Sequence, residues 1–247
     1  MPLDLITEQP DSPWLNALLY GPEGAGKTTG ALTAPGPILY LNAEGPNAAM
    51  YARRQHPAGH IIEARAAGAE SLRQAILYVQ ENPTVRTVVM DTGGEWFRNV
   101  LDDMTGGSKP TLPQYGDTTT IIERFCKAMR DLPVNFIVLA HELPTKDEES
   151  GVIERLPHMG TSNPALGVKV MAQADIVGYC GRIEGTDEHP EARYVAQLIP
   201  AGGRRGKDRT GLLGDFPELN FSDWLNTYTT ATEPTTPAKR ERETTTA

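Results

Sequence analysis

The chain has 247 residues, 39% of them hydrophobic, enough to bury one substantial core in a single large domain. Its formal net charge of -9 argues against a protein that holds DNA through its overall field, and leaves any nucleic-acid contact to a local basic surface. Two distant cysteines, Cys126 and Cys180, without CxxC or Cys/His clustering, point to neither a disulfide framework nor a zinc site.

Residues 1–13, "MPLDLITEQPDSP", read as an N-terminal extension that lacks the basic and apolar regions of a signal peptide. No apolar run reaches the roughly 20 residues of a membrane helix, so the expectation is a soluble, cytoplasmic protein with no membrane partner. Apolar runs predict strands over Trp14 to Tyr20, Pro37 to Ala43, His60 to Ala64, Arg86 to Asp91 and Asn135 to His141. Helices are predicted from Lys27, and over Asn47 to Arg54, Glu70 to Gln80, Gly94 to Met104 and Asp117 to Arg130. In the last, Ile121, Ile122, Phe125, Ala128 and Met129 form one apolar stripe for the core. This alternation predicts an α/β fold over residues 14–226, with a mostly parallel central sheet flanked by helices.

After His141 the texture changes. Residues 142–167 are polar and Gly/Pro-punctuated, which predicts a long functional loop. "ADIVGYCGRI" (174–183) and "ARYVAQLIPA" (192–201) predict an antiparallel hairpin added at the sheet edge. From Thr227 to Ala247 the Thr/Pro/charge-rich chain predicts a disordered tail.

Residues Gly21 to Thr28, "GPEGAGKT", satisfy G-x-x-x-x-G-K-[ST] between a predicted strand and a predicted helix, the context of a phosphate-binding P-loop. The cradle comprises Gly21, Pro22, Glu23, Gly24, Ala25, Gly26, Lys27, Thr28 and Thr29. Its backbone N–H groups curl around phosphates, Lys27 reaches the β- and γ-phosphates of ATP, and the Thr28 hydroxyl faces Mg²⁺. Asp91 ends the apolar run "TVVMD" and is the carboxylate expected in the magnesium shell. Two glutamates compete to orient the attacking water: Glu44, which ends the strand "ILYLNAE", and Glu95, at the start of a helix. Glu44 is favoured because the end of a strand faces the edge where open α/β sheets bind ligands. His141 ends "FIVLAH" at the same edge and can sense a γ-phosphate.

Together these residues resemble the ATPase core of RecA-type recombinases. "GPEGAGKTT" is close to that family's P-loop, and "ILYLNAEGPNAAMYARR" is similar to its strand-Asp-Ala-Glu segment followed by a Tyr-Ala-Arg helix. The resemblance spans Asn16 to Gly211 and implies that Glu44 is the catalytic base, Asp91 the magnesium ligand, and His141 the γ-phosphate sensor in place of the family's glutamine. It implies DNA-binding loops at Thr105 to Gly116 and Leu143 to Asn163, with Lys109, Tyr115, Lys146 and Arg155 as candidate contacts. It also implies that Lys207 and Arg209, in "GGRRGKDRTG", reach across to a neighbouring subunit's ATP, while Arg204 and Arg205 complete a basic stretch. The subgroup most similar is the minimal phage RecA-like proteins, AAA-type nucleotide-binding proteins that anneal or recombine single strands. The chain departs from it in a short segment ahead of the P-loop, an acidic second loop and the histidine at the sensor position. The implied partners are single-stranded DNA, further copies of the chain in a ring or filament, and a single-strand-binding protein. The residues alone leave two other readings: a P-loop small-molecule kinase, or an ATP-gated assembly or loading protein.

Overall fold

In the computed structural model of the protein, residues 14–146, 151–185 and 191–232 are described. β1 (Asn16–Gly21) enters the P-loop and α1 (Lys27–Ala31), and is followed by β2 (Ile38–Asn42), α2 (Met50–Arg53), β3 (Ile61–Arg65) and α3 (Ala69–Glu81). Next come β4 (Thr87–Asp91), α4 (Gly93–Thr105), α5 (Leu112–Arg130) and β5 (Asn135–Lys146). The remainder is β6 (Ile153–His158), α6 (Ala165–Gln173), β7 (Ile176–Ile183), β8 (Arg193–Gln197), β9 (Lys207–Asp208) and α7 (Phe221–Thr232). Among the described residues these strands form one nine-stranded sheet in the order β3-β2-β4-β5-β1-β7-β8, with β6 on β5 and β9 on β7. The pairings from β3 through β7 are parallel, and β6, β8 and β9 add antiparallel pairs. The fold is therefore the α/β P-loop core expected, and the strands of residues 174–183 and 192–201 form the antiparallel edge.

Why the central strands are apolar throughout follows from the period of two along a strand. Leu18, Tyr20, Val88, Met90, Phe136 and Val138 pack on the side of α3, α4, α5 and α6, together with Ile122, Phe125 and Met129 of the α5 stripe. Ala17, Leu19, Ile38, Tyr40, Val89, Ile137 and Leu139 pack on the other side, with Ala31 and the α7 residues Phe221 and Trp224. Both faces are covered, so neither needs polar residues. Among the described residues no helix is long and apolar enough to cross a membrane.

Three expectations are corrected. The long loop over residues 142–167 is instead mostly regular. β5 runs on past His141 to Lys146 and pairs with β6 as an antiparallel hairpin, and α6 follows. Residues 147–150 of the acidic segment lie outside the described residues. The pairing consumes the backbone groups that a loop would have left open, and Leu156 and Met159 are buried at its base. The stretch Thr105 to Gly116 contains only a short connection, because Gly106 ends α4 in the left-handed region and α5 begins at Leu112 under a Thr111/Gln114 capping box.

The predicted tail boundary at Thr227 also falls inside α7. Trp224 is buried there, Leu225 and Tyr228 pack on the core, and the Phe221 N–H donates to Thr33 Oγ1 at 2.7 Å. These contacts supply the apolar burial that the Thr-rich composition concealed. Residues 1–13 and 233–247 lie outside the described residues.

Candidate nucleotide site

The P-loop turns where its glycines permit. Gly24 and Gly26 have φ of 71° and 79°, in the left-handed region. Gly21 sits so close to β7 that a Cβ would lie 2.5 Å from the Cys180 carbonyl oxygen. Lys27 is buried, with 7% exposure, and its Nζ donates to the carbonyls of Gly21 at 3.0 Å and Pro22 at 2.7 Å. Burial lowers its pKa, opposed in part by Asp91 and Glu44. The ammonium is thus folded onto its own loop at the wall of the cleft.

Asp91, at the end of β4, is almost fully buried. Its Oδ2 accepts from the Thr28 hydroxyl at 2.8 Å and from the Tyr40 hydroxyl at 2.7 Å. Burial raises the Asp91 pKa, and those two donors pull it back. The peptide bond from Asp91 to Thr92 is cis. The Thr92 side chain is buried, and its hydroxyl is one of the groups that hold the Glu44 carboxyl low.

Just past β2, the Asn42 Oδ1 accepts the N–H groups of Glu44 and Gly45, each at 3.0 Å. This turn projects Glu44 toward His141, whose Nε2 lies 3.3 Å from the Glu44 carboxylate. The histidine contact holds the Glu44 carboxyl below its ordinary range and, reciprocally, raises the His141 pKa. Gly24, Lys27, Thr28, Glu44, Asp91, Thr92, His141 and Tyr194 all line one cleft of ≈ 340 Å³.

The chemistry of this donor set fits a magnesium triphosphate. A hydroxyl beside a carboxylate supplies the hard oxygen ligands Mg²⁺ takes, and the glycine-rich backbone and Lys27 suit phosphate oxygens.

Not every candidate arrives at the cleft. Glu95 does not line it and pairs with Arg98 at 2.6 Å on its own helix. Lys207 and Arg209 are likewise absent from the cleft of their own chain. Asp208, between them, pairs with Ile176, which aligns with Ala17 near the start of β1, whereas the P-loop follows Gly21. They therefore lie toward the opposite sheet edge, roughly 13 Å away along the strand direction. There the Lys207 Nζ donates to the terminal carbonyls of α6, and Arg209 pairs with Asp175 at 2.9 Å.

Sequence reasoning missed Tyr40, Thr92 and Tyr194. Tyr40 reads as one more apolar strand residue, and the only hint is a hydroxyl that needs a partner when buried.

A family model described as an AAA domain, AAA_24, matches residues 15–210. The chain belongs to this AAA-domain family. The match begins just before β1 and ends just past Arg209, so it takes in the P-loop, Glu44, Asp91, His141 and the basic stretch, and leaves α7 outside. For an AAA-domain chain, the cleft is that of a nucleotide-binding P-loop ATPase domain. No curated protein matches the chain.

Proposed function

We propose that this AAA-domain protein hydrolyses ATP as a homo-oligomer and couples turnover to single-stranded DNA, promoting strand annealing in homologous recombination. The observation that carries the ATPase reading is convergence. Four parallel strands deliver Lys27 and Thr28, Glu44, Asp91 and His141 to one cleft. Lys27 and the loop backbone hold the phosphates, while Thr28 and Asp91 hold the ion. Mg²⁺, when bound, offsets the phosphate charge. Glu44, kept ionised by His141, orients a water and takes its proton. Lys207 and Arg209, remote from their own cleft, are assigned to a neighbour's.

The DNA reading draws support from β5 and from the resemblance to RecA-type cores. His141 is the last β5 residue paired with β1, opposite Gly21, and the first paired with β6, opposite His158. One continuous strand thus leads from the phosphate cleft into the hairpin. Two arginines here are held by hairpin acids, Arg155 of β6 by Glu142 at 3.6 Å and Arg205, between β8 and β9, by Glu154 at 2.9 Å. DNA binding would exchange those carboxylates for backbone phosphates. A single-strand-binding protein is a further partner in this reading.

Phosphate release titrated with DNA tests this. Single-stranded DNA is expected to raise turnover severalfold and duplex DNA less, and equal turnover with and without DNA across a range of salt overturns the DNA reading. One observation favours the kinase alternative: a hollow of ≈ 460 Å³ beside Glu44, lined by Asn42, Glu63, Arg65 and Asn99, could hold an acceptor. A kinase would release little phosphate without its acceptor.

A further inference from the structure

The phosphate cleft is walled on one side by Glu44, Asp91, Thr92 and His141, acids and polar groups suited to an ion and a water. Apart from the P-loop itself, the remaining lining residue is an aromatic one, Tyr194. Tyr194, on β8, lies against the P-loop so closely that a Cβ at Gly26 would come within 2.9 Å of its Cδ1. Beyond that ring opens a second hollow of ≈ 680 Å³, lined by Arg193, Glu218, Leu219 and Asn220, with Tyr194 common to both spaces.

The platform is held in place from two sides. Tyr194 pairs with Arg182 across β7 and β8, and its carbonyl accepts the Leu219 N–H at 2.9 Å. Yet the residue is 44% exposed, and among the described residues no second aromatic ring stacks on it. A large ring left open beside a phosphate cradle, and facing a hollow of this size, is matched to the apolar face of a base.

Resting on the ATP reading above, we propose that Tyr194 is the platform on which the nucleobase of the bound triphosphate stacks, the hollow beyond it receiving the nucleoside. Phosphates drawn to the P-loop leave the rest of the ligand to emerge on the side not occupied by Asp91 and Glu44. That side is the Tyr194 side. Stacking has no donor or acceptor requirement and accepts any base, so selection among bases falls to the polar rim, where Glu218 and Asn220 offer a carboxylate and an amide.

Calorimetric titration of the full chain with Mg·ATP and with Mg·tripolyphosphate tests the platform. Tyr194→Leu keeps bulk against Gly26 and removes the π face. It is expected to weaken ATP binding about tenfold and to leave tripolyphosphate within about twofold, with Tyr194→Phe near wild type for both. Equal losses for both ligands, or an unchanged ATP affinity, overturn the platform while wild-type ATP binding keeps the nucleotide reading intact. A wild-type chain that binds neither ligand removes both. If Tyr194→Leu loses its native melting transition, photolabelling of the wild type with 8-azido-ATP replaces it: label on the peptide containing Tyr194 supports the platform, and label confined to other peptides overturns it.

Discussion

The imidazole of His141 lies 3.3 Å from the carboxylate of Glu44, although 97 residues separate the two in the chain. Their strands, β5 and β2, are not neighbours: β4, carrying Asp91, runs between them. The pair therefore bridges across the strand that holds Asp91, and each partner favours the charged form of the other.

The pair sets a pH signature. His141, raised above its ordinary 6.5, contributes stability that is present below 6.5 and lost as pH climbs through its higher folded value. Glu44, depressed below 4.5, contributes above 4.5 and loses its share as pH falls through its lower value. The melting-temperature gap between wild type and His141→Gln is expected to peak between those limits, near pH 5.5, and to shrink on either side. Both side chains are about one-third exposed, so the gap should be only a few degrees. A gap that does not vary with pH would show that the pair carries no charge interaction.

Glu44 and Glu95 separate by substitution. Glu44→Gln is expected to retain ATP binding and lower turnover about 10²- to 10⁴-fold, the range of a general base. Glu95→Gln, removed from the cleft and paired with Arg98, is expected to stay within about twofold. Single-turnover phosphate release measures both, and a larger loss in Glu95→Gln would reverse the assignment.

Tyr40 is expected to position Asp91. Tyr40→Phe removes the 2.7 Å donor from a buried carboxylate, which costs about 1.5–3 kcal/mol in urea unfolding and raises the Asp91 pKa further. A less ionised Asp91 binds metal more weakly, so the Mg²⁺ concentration for half-maximal turnover should rise. An unchanged Mg²⁺ midpoint would leave Tyr40 as a packing residue.

The assignment of Lys207 and Arg209 to a neighbour's cleft predicts complementation. Chains with Lys27→Ala and chains with Arg209→Ala are each expected to be inactive, and an equal mixture should recover turnover at about a quarter of its interfaces, since half of the P-loops are intact and half of their neighbours are. Lys207→Ala also uncaps α6 and should lower the melting temperature as well. No recovery in the mixture would dismiss action in trans for Arg209.

Much of this was legible in the order of residues. The P-loop is a contiguous motif whose chemistry is local: glycines for backbone curvature, Lys27 for charge, Thr28 for a hydroxyl. The central strands were legible because burial on both faces leaves one unbroken apolar run per strand. The β5–β6 hairpin was not, because Pro144, Lys146 and Arg155 carry weak strand preference and its order comes from pairing rather than propensity. Nor was the far end of α7, whose Thr-rich face hides the few apolar residues that dock it.

By itself, then, the sequence determined a nucleotide cradle on an α/β sheet and the strand ends able to serve it. Only the tertiary structure decided which strand ends meet. It brought Glu44 to His141, put the Tyr40 hydroxyl on Asp91, left Glu95 outside, carried Lys207 and Arg209 toward the opposite edge, and set Tyr194 against Gly26. The physical reason is strand order. Parallel connections make neighbours of residues tens of positions apart, and that order arises from packing both faces of the sheet, a property that no local stretch of residues contains.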